Sequence, residues 1–157
     1  MKGNQRLIDS LNALLIDELT SINQYMVHAE MVENWGYSNL NQLIYGRAMV
    51  EMKHAERLIE RIIFLEGVPV VSRLDEIHIG ADVPKMFDND LAIEMATVRH
   101  YNDAIALASE VHDNATREIL KDNLQDEDRH VDQIEAQQDQ ISQTGLQTYL
   151  GHQIKKE

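Results

Sequence analysis

The chain contains no cysteine. It therefore has no disulfide framework, no thiol nucleophile, no zinc knuckle and no cysteine-held iron–sulfur cluster, and any metal must rest on carboxylates, imidazoles or thioethers. Two prolines and seven glycines in 157 residues leave few places where a helix has to stop. Basic residues are scarce too: 14 Lys and Arg stand against 27 Asp and Glu, a formal net charge of −13. Sequence-independent nucleic acid binding rests on clustered Lys and Arg, so this balance argues against a nucleic acid partner and for cationic guests. No apolar run approaches the ~20 residues of a membrane span, and Met1 to Asp9 turns polar and acidic where a secretory signal would turn apolar. The expectation is a chain without a membrane partner, in a reducing, cytoplasmic compartment. One domain, 1–157, with one core fits this length.

What is present is helical periodicity. Leu7, Leu11, Leu14, Ile22, Met26 and Ala29, widened by Ile8, Leu15 and Leu19, make an apolar stripe nearly thirty residues long. After the Trp35-Gly36 break, with Ser38 available as a cap, a second stripe runs Leu40, Leu43, Ile44, Leu58, Ile62 and Leu65. A third, entered by Asp82 and Pro84, runs Phe87, Leu91, Met95, Val98, Ile105 and Ala108. The fourth follows Asp113 through Leu120, Leu124, Val131, Ile134 and Ile141 to a stop at Gly145, and Leu146 to Ile154 predicts one further short helix. Between the second and third stripes, the 17 residues Glu66 to Asp82 can span ~56 Å when extended, more than the ~45 Å of a thirty-residue helix. The prediction is an all-α fold: a four-helix bundle with one long crossover between helices two and three and a short fifth C-terminal helix.

Each stripe is interrupted by residues foreign to a core. Glu18 and Tyr25 fall on the first, Glu51 and His54 on the second, Glu94 and Tyr101 on the third, and Glu127 and His130 on the fourth. The pattern repeats, because adding 76 to Glu18, Tyr25, Glu51 and His54 gives Glu94, Tyr101, Glu127 and His130. One Glu-x-x-His pair is weak evidence, and a single such glutamate reads as readily as a solvated charge at a bundle rim. Six in register, mid-helix, do not. Four carboxylates buried together must either hold protons or share cations, and two divalent ions balance four charges. Carboxylate with imidazole and no thiolate suits iron, manganese or zinc. The arrangement, an inward Glu on each of two helices and a Glu-x-x-His pair on each of the other two, resembles that of ferritin-like carboxylate proteins.

Met1-Lys2-Gly3, Asn34-Trp35-Gly36, Glu51-Met52-Lys53-His54-Ala55-Glu56, Phe64-Leu65-Glu66-Gly67 and Gly145-Leu146-Gln147 carry a closer likeness. Over essentially its whole length the chain resembles bacterioferritin, the haem-binding branch of the ferritins. The resemblance implies an iron-storage ferroxidase. Glu18, Glu51, His54, Glu94, Glu127 and His130 would then hold two iron ions per subunit, Glu51 and Glu127 bridging, and oxidise Fe(II) with dioxygen or peroxide. It implies a homo-oligomeric shell of 24 subunits built from two-fold dimers around ferric mineral, with the short fifth helix part of that assembly. It also implies a small ferredoxin as electron donor.

Met52 lies ~100° around the helix from Glu51 and so faces away from the metal, on a second stripe with Tyr45, Met49, Ile59 and Ile63 that can bury a partner subunit. On its chemistry alone Met52 fits an adaptable seam residue. The resemblance instead implies that Met52 from each of two subunits ligates a b-type haem lined by Ile22, Asn23, Met26 and Tyr45. Tyr25 and Tyr101 read first as hydrogen-bonded core tyrosines that orient the site. Asn34, Glu66, Asp132 and Asp139 resemble a polar pore between subunits, with four solvated surface groups as the competing reading. His28, His78, His100, His112 and His152 have no partner at ligand spacing and read as surface or structural. One departure stands out: some bacterioferritins carry His and Asp where this chain has Gly46 and Val50, which puts an extra inner-surface iron site in doubt. Rival functions are a di-iron or di-manganese oxidase or peroxidase without storage, a metal-free bundle, and a DNA-protecting mini-ferritin, the last disfavoured by the acidic balance.

Overall fold

The computed structural model describes residues 1–156. Its helices are α1 Gln5–Asn34, α2 Ser38–Phe64, α3 Val83–Glu110, α4 Asn114–Thr144 and α5 Leu146–Gly151. Three of the long helices start on side-chain caps that satisfy otherwise orphaned amides: Asn4 accepts from Leu7 N, Asp82 from Lys85 N and Asp113 from Thr116 N. The second starts differently. Ser38 is the first helical residue and not a cap, and Tyr37 before it makes no side-chain cap bond. The C-terminal tail does that work, because the carbonyl of Gln153 accepts from Asn39 N at 3.0 Å and that of His152 from Asn39 Nδ2 at 3.1 Å. Gly36, at φ 86°, supplies the left-handed step that reverses the chain between α1 and α2.

Helix α1 packs on α2 and α3, and α4 packs on α3, α2 and α5. Contacts pair Tyr25 with Glu94 and Glu18 with Tyr101, and His54 with Glu127 and Arg57 with Asn123, so numbers rise on one helix as they fall on its neighbour. Helices α1 and α3 are thus antiparallel, as are α2 and α4, which leaves α2 and α3 parallel across the diagonal. The crossover between them runs the length of the bundle, as its reach requires. It is strapped to α1 by side chains one or two turns apart: Asn12 Oδ1 accepts from Val70 N, Thr20 Oγ1 from Asp75 N, Gln24 Oε1 from His78 N and His28 Nε2 from Gly80 N, at 2.8–3.2 Å.

Apolar packing is divided. One cluster joins Leu7, Leu11, Leu14 and Leu15 to Leu58, Ile62, Ala104, Ala108 and Leu120; the other joins Ala29, Val32, Leu40, Ile44, Met86, Phe87, Ile134 and Tyr149. The second includes α5, whose buried Tyr149 meets Phe87 edge-on at 6.4 Å and donates to Gln137 Oε1 at 2.6 Å. This short helix ends at Gly151, three residues before the sequence prediction, and packs on its own bundle. Between the two clusters lies a polar layer.

Candidate metal centre

That polar layer holds all six predicted ligands. Glu18, Glu51 and Glu127 are 0% exposed, Glu94 is 1%, His54 is 0% and His130 is 7%. Each sits mid-helix, where the i, i+3 step puts Glu51 with His54, and Glu127 with His130, on one helix face. His54 Nδ1 lies 2.8 Å from Glu127 Oε1, 3.4 Å from Glu18 Oε1 and 3.5 Å from Glu51 Oε2. His130 Nδ1 lies 2.7 Å from Glu51 Oε1, 3.4 Å from Glu94 Oε1 and 3.6 Å from Glu127 Oε2. Two four-residue groups result, Glu18, Glu51, His54, Glu127 and Glu51, Glu94, Glu127, His130, with ligand atoms within 4.8 Å of one another. Glu51 and Glu127 belong to both.

The layer is short of donors. Glu18 Oε2, both oxygens of Glu51, Glu94 Oε2, Glu127 Oε2 and His130 Nδ1 are buried without a hydrogen-bond partner. His130 Nδ1 and Glu51 Oε1 are close at 2.7 Å, yet off the line that a hydrogen bond needs. Unpaired buried oxygens at this density are costly unless a cation fills the space between them, so the donor set fits two divalent ions. Electrostatics divides the carboxylates. Burial acts to raise all four, but the close approach of Glu51 and His54 holds Glu18 below the ordinary carboxylate range, and that of Glu127 and His130 holds Glu94 at about 2. Burial and the neighbouring charges of Glu18 and Glu94 push Glu51 and Glu127 well up. Burial would lower His54, but its bond to Glu127 and the nearby carboxylates of Glu18 and Glu51 outweigh that and raise it; His130 is raised by the nearby carboxylates of Glu127 and Glu94.

The two tyrosines hydrogen-bond the outer carboxylates. Tyr25 donates to Glu94 Oε1, and Tyr101 donates to Glu18 Oε1 at 2.5 Å while accepting from Asn123 Nδ2 at 3.1 Å. Burial first, and the adjacent carboxylate charge second, raise both phenols well above their usual range, so they stay protonated donors. Two supports escaped the sequence reading. Asp126 Oδ2 faces His54 Nε2 at 2.9 Å, and a buried set of Gln24, His28, Arg47 and Asp90 lies below the centre, with Arg47 over the Tyr25 ring at 5.2 Å. The polar steps Thr20, Gln24 and His28 on α1 are the one sequence signal that the crossover is anchored there.

The remaining candidates lie outside the centre. Met52 is 40% exposed on the far side of α2, with Tyr45 and Met49 also exposed, and Met26 and Asn23 are exposed on α1. Ile22 is buried in the first apolar cluster. Asn34, Glu66, Asp132 and Asp139 are all exposed, Glu66 pairing with the N-terminal amine at 3.4 Å, and none joins the buried groups. His28 is structural and fully buried; His100, partly exposed, pairs with Asp17 at 2.7 Å.

Comparison with known proteins gives a consistent result. The family model for the ferritin-like domain matches residues 8–144. The chain is 35% identical over 156 residues to a bacterioferritin of Mycolicibacterium paratuberculosis, covering 99% of this chain and 98% of that one. It is 39% identical over 155 residues to a bacterial ferritin of Pseudomonas aeruginosa, covering 98% and 100%. A bacterioferritin of Streptomyces coelicolor is 33% identical over 156 residues, covering 99% and 93%.

Proposed function

This chain belongs to the ferritin family, and we propose that its buried Glu/His layer is where it does a ferritin's work, oxidising Fe(II) and passing Fe(III) on for storage. The observation that carries this reading is that two four-residue ligand groups share Glu51 and Glu127. Two Fe(II) ions, as substrate, take one group each. Glu51 and Glu127 reach both, which fixes the separation of the ions, while Tyr25 and Tyr101 hold Glu94 and Glu18 in place. Loss of one electron from each Fe(II) supplies the two electrons that reduce a peroxide to two waters, or dioxygen to peroxide, with uptake of two protons. The chain's part is ligand geometry and charge balance.

The finer assembly follows the same line. The exposed Tyr45, Met49 and Met52 on α2 and Met26 on α1 offer an apolar seam for a two-fold partner, and a shell of 24 subunits is built from such dimers. Met52 presents a thioether on that seam, and together with Met52 of a second subunit it would hold a b-type haem, with Ile22, Asn23, Met26 and Tyr45 as the lining residues. A haem held there would supply one-electron chemistry for the stored iron, and a small ferredoxin would be its donor. Carboxylates at Glu66, Asp132 and Asp139, with Asn34, would line a polar opening between subunits that draws Fe(II) inward. The protein works in the cytoplasm. Among the described residues no helix is long and apolar enough to cross a membrane.

The test is aerobic addition of Fe(II) to the purified protein, with absorbance and sizing on one sample. Rapid oxidation in a particle of 24 subunits is expected, and slow oxidation in a small oligomer would overturn the storage reading in favour of another di-metal enzyme. Met52→Leu should abolish the haem band and leave Fe(II) oxidation unchanged; a retained band would remove Met52 from the haem site.

A further inference from the structure

The internal repeat that doubles the ligand set breaks directly behind the two imidazoles. The shift of 76 that carries Glu51 onto Glu127 and His54 onto His130 also carries Val50 onto Asp126. Both histidines turn Nδ1 toward the carboxylates of the centre. Their outer nitrogens differ. His54 Nε2 meets Asp126 Oδ2 at 2.9 Å, and Asp126 is in turn held by Arg129, whose Nη1 donates to Oδ1 at 2.7 Å. His130 Nε2 meets no carboxylate among the described residues, and the ring borders an outer cavity of about 350 Å³ that Val50 also lines. A neutral imidazole that ligates through Nδ1 carries its proton on Nε2. A carboxylate that accepts this proton's hydrogen bond fixes the tautomer and ring orientation, and makes the ligating nitrogen more basic. His54 has that acceptor, whereas an isopropyl group at Val50 offers His130 none.

We propose that Asp126 is a positioning residue for His54, and that the two metal positions are therefore unequal: the one completed by Glu18 and His54 binds a divalent ion more tightly than the one completed by Glu94 and His130. This rests on reading the layer as a two-ion centre. Ligand identity is symmetric about Glu51 and Glu127, so the inequality comes from the support behind the ligands. Since oxidation needs both ions, the weaker position sets the Fe(II) concentration at which the centre becomes competent.

The experiment is anaerobic titration of the metal-free assembled protein with Co(II), followed by calorimetry and by the visible absorption of the bound ion. Two ions per subunit in two resolved steps are expected. Asp126→Asn, which keeps an acceptor oxygen but removes its charge, should weaken the tighter step 10–100-fold and leave the weaker one in place. His130→Ala should delete the weaker step and spare the tighter one. Val50→Asp gives the complementary gain: a carboxylate supplied behind His130 should tighten the second step and draw the two together. Binding of both ions in a single unresolved step, a tighter step untouched by Asp126→Asn, or loss of the tighter step in His130→Ala would each overturn the inequality while leaving the two-ion centre standing. Absence of Co(II) binding to the unaltered protein would overturn the two-ion reading and the inequality with it.

Discussion

The polar layer and the apolar layers on either side of it are built from the same four helices at the same three-and-four spacing, yet they do opposite things to the fold. In the apolar layers, side chains such as Leu11, Leu58 and Phe87 are fully removed from water, and each contributes roughly 1.5–3 kcal/mol relative to exposure. In the layer between them, four carboxylates are buried just as completely, with five of their eight oxygens unpaired. That arrangement opposes folding unless protons or cations fill it. The apolar layers hold the helices in register, and the register brings six Glu and His side chains to one place. The site is where the chain gives up stability, and its position is set by the regions that supply it.

The largest effect should come from Glu51→Ala combined with Glu127→Ala. Each residue serves both ligand groups, so Fe(II) oxidation should fall on the order of a hundredfold or more, while the shell still assembles. The metal-free double variant should also unfold at a higher temperature than the metal-free parent, since it has lost two buried carboxylates three of whose four oxygens are unpaired. Calorimetry on both proteins checks this, and a lower unfolding temperature for the variant would break the contrast between the layers. In the same measurement, a divalent ion at a hundredfold excess over its Kd should stabilise the parent by about 2.7 kcal/mol and the variant by nothing. Leu58→Ala, in the apolar cluster, should do the reverse. It should cost about 2–5 kcal/mol in denaturant unfolding and leave oxidation per folded subunit unchanged.

The sequence makes some of this legible and hides the rest, for physical reasons. Four long helices are readable because burial of a stripe imposes a 3.6-residue period, and the crossover is readable because a chain of known reach must join parallel helices. The burial of six Glu and His side chains in one layer is readable because charged residues on a buried stripe need compensation, and because their spacing recurs after 76 residues. What escapes depends on contacts distant in sequence. No local rule marks Asn39 as receiving its cap from Gln153, so Ser38 is the natural but mistaken choice. The straps from Asn12, Thr20, Gln24 and His28 to the crossover, and the pairing of Arg47 with Asp90, arise only once the helices are packed. Asp126 is hidden for the opposite reason: the repeat that reveals the ligands places Val50 at its counterpart.

The smallest predicted effect separates the ends of the bundle from its centre. Asp113 caps α4 by accepting from Thr116 N at 3.0 Å, and it also accepts from Thr116 Oγ1 at 2.7 Å and from Arg61 Nη2 at 3.1 Å. Burial acts to raise its carboxyl, but the Thr116 bonds and the Arg61 charge outweigh this and hold it below the usual aspartate range. A carboxylate whose pKa is lower in the folded state adds stability above its unfolded pKa of about 3.9, and that contribution fades as pH falls through the folded value. Asp113→Ala should therefore cost about 1 kcal/mol near neutral pH. The cost should shrink progressively on acidification below about pH 4, when the parent's own cap is being protonated. Urea unfolding of both proteins across that range measures the difference. Oxidation at neutral pH should be unchanged, because Asp113 stabilises a helix start in the region of the fold that contributes stability, far along α4 from Glu127 and His130. A cost that instead grew on acidification would mean that Asp113 is protonated more readily in the folded chain than in the unfolded one, and its bonds to Thr116 and Arg61 would not be what holds α4 at its start.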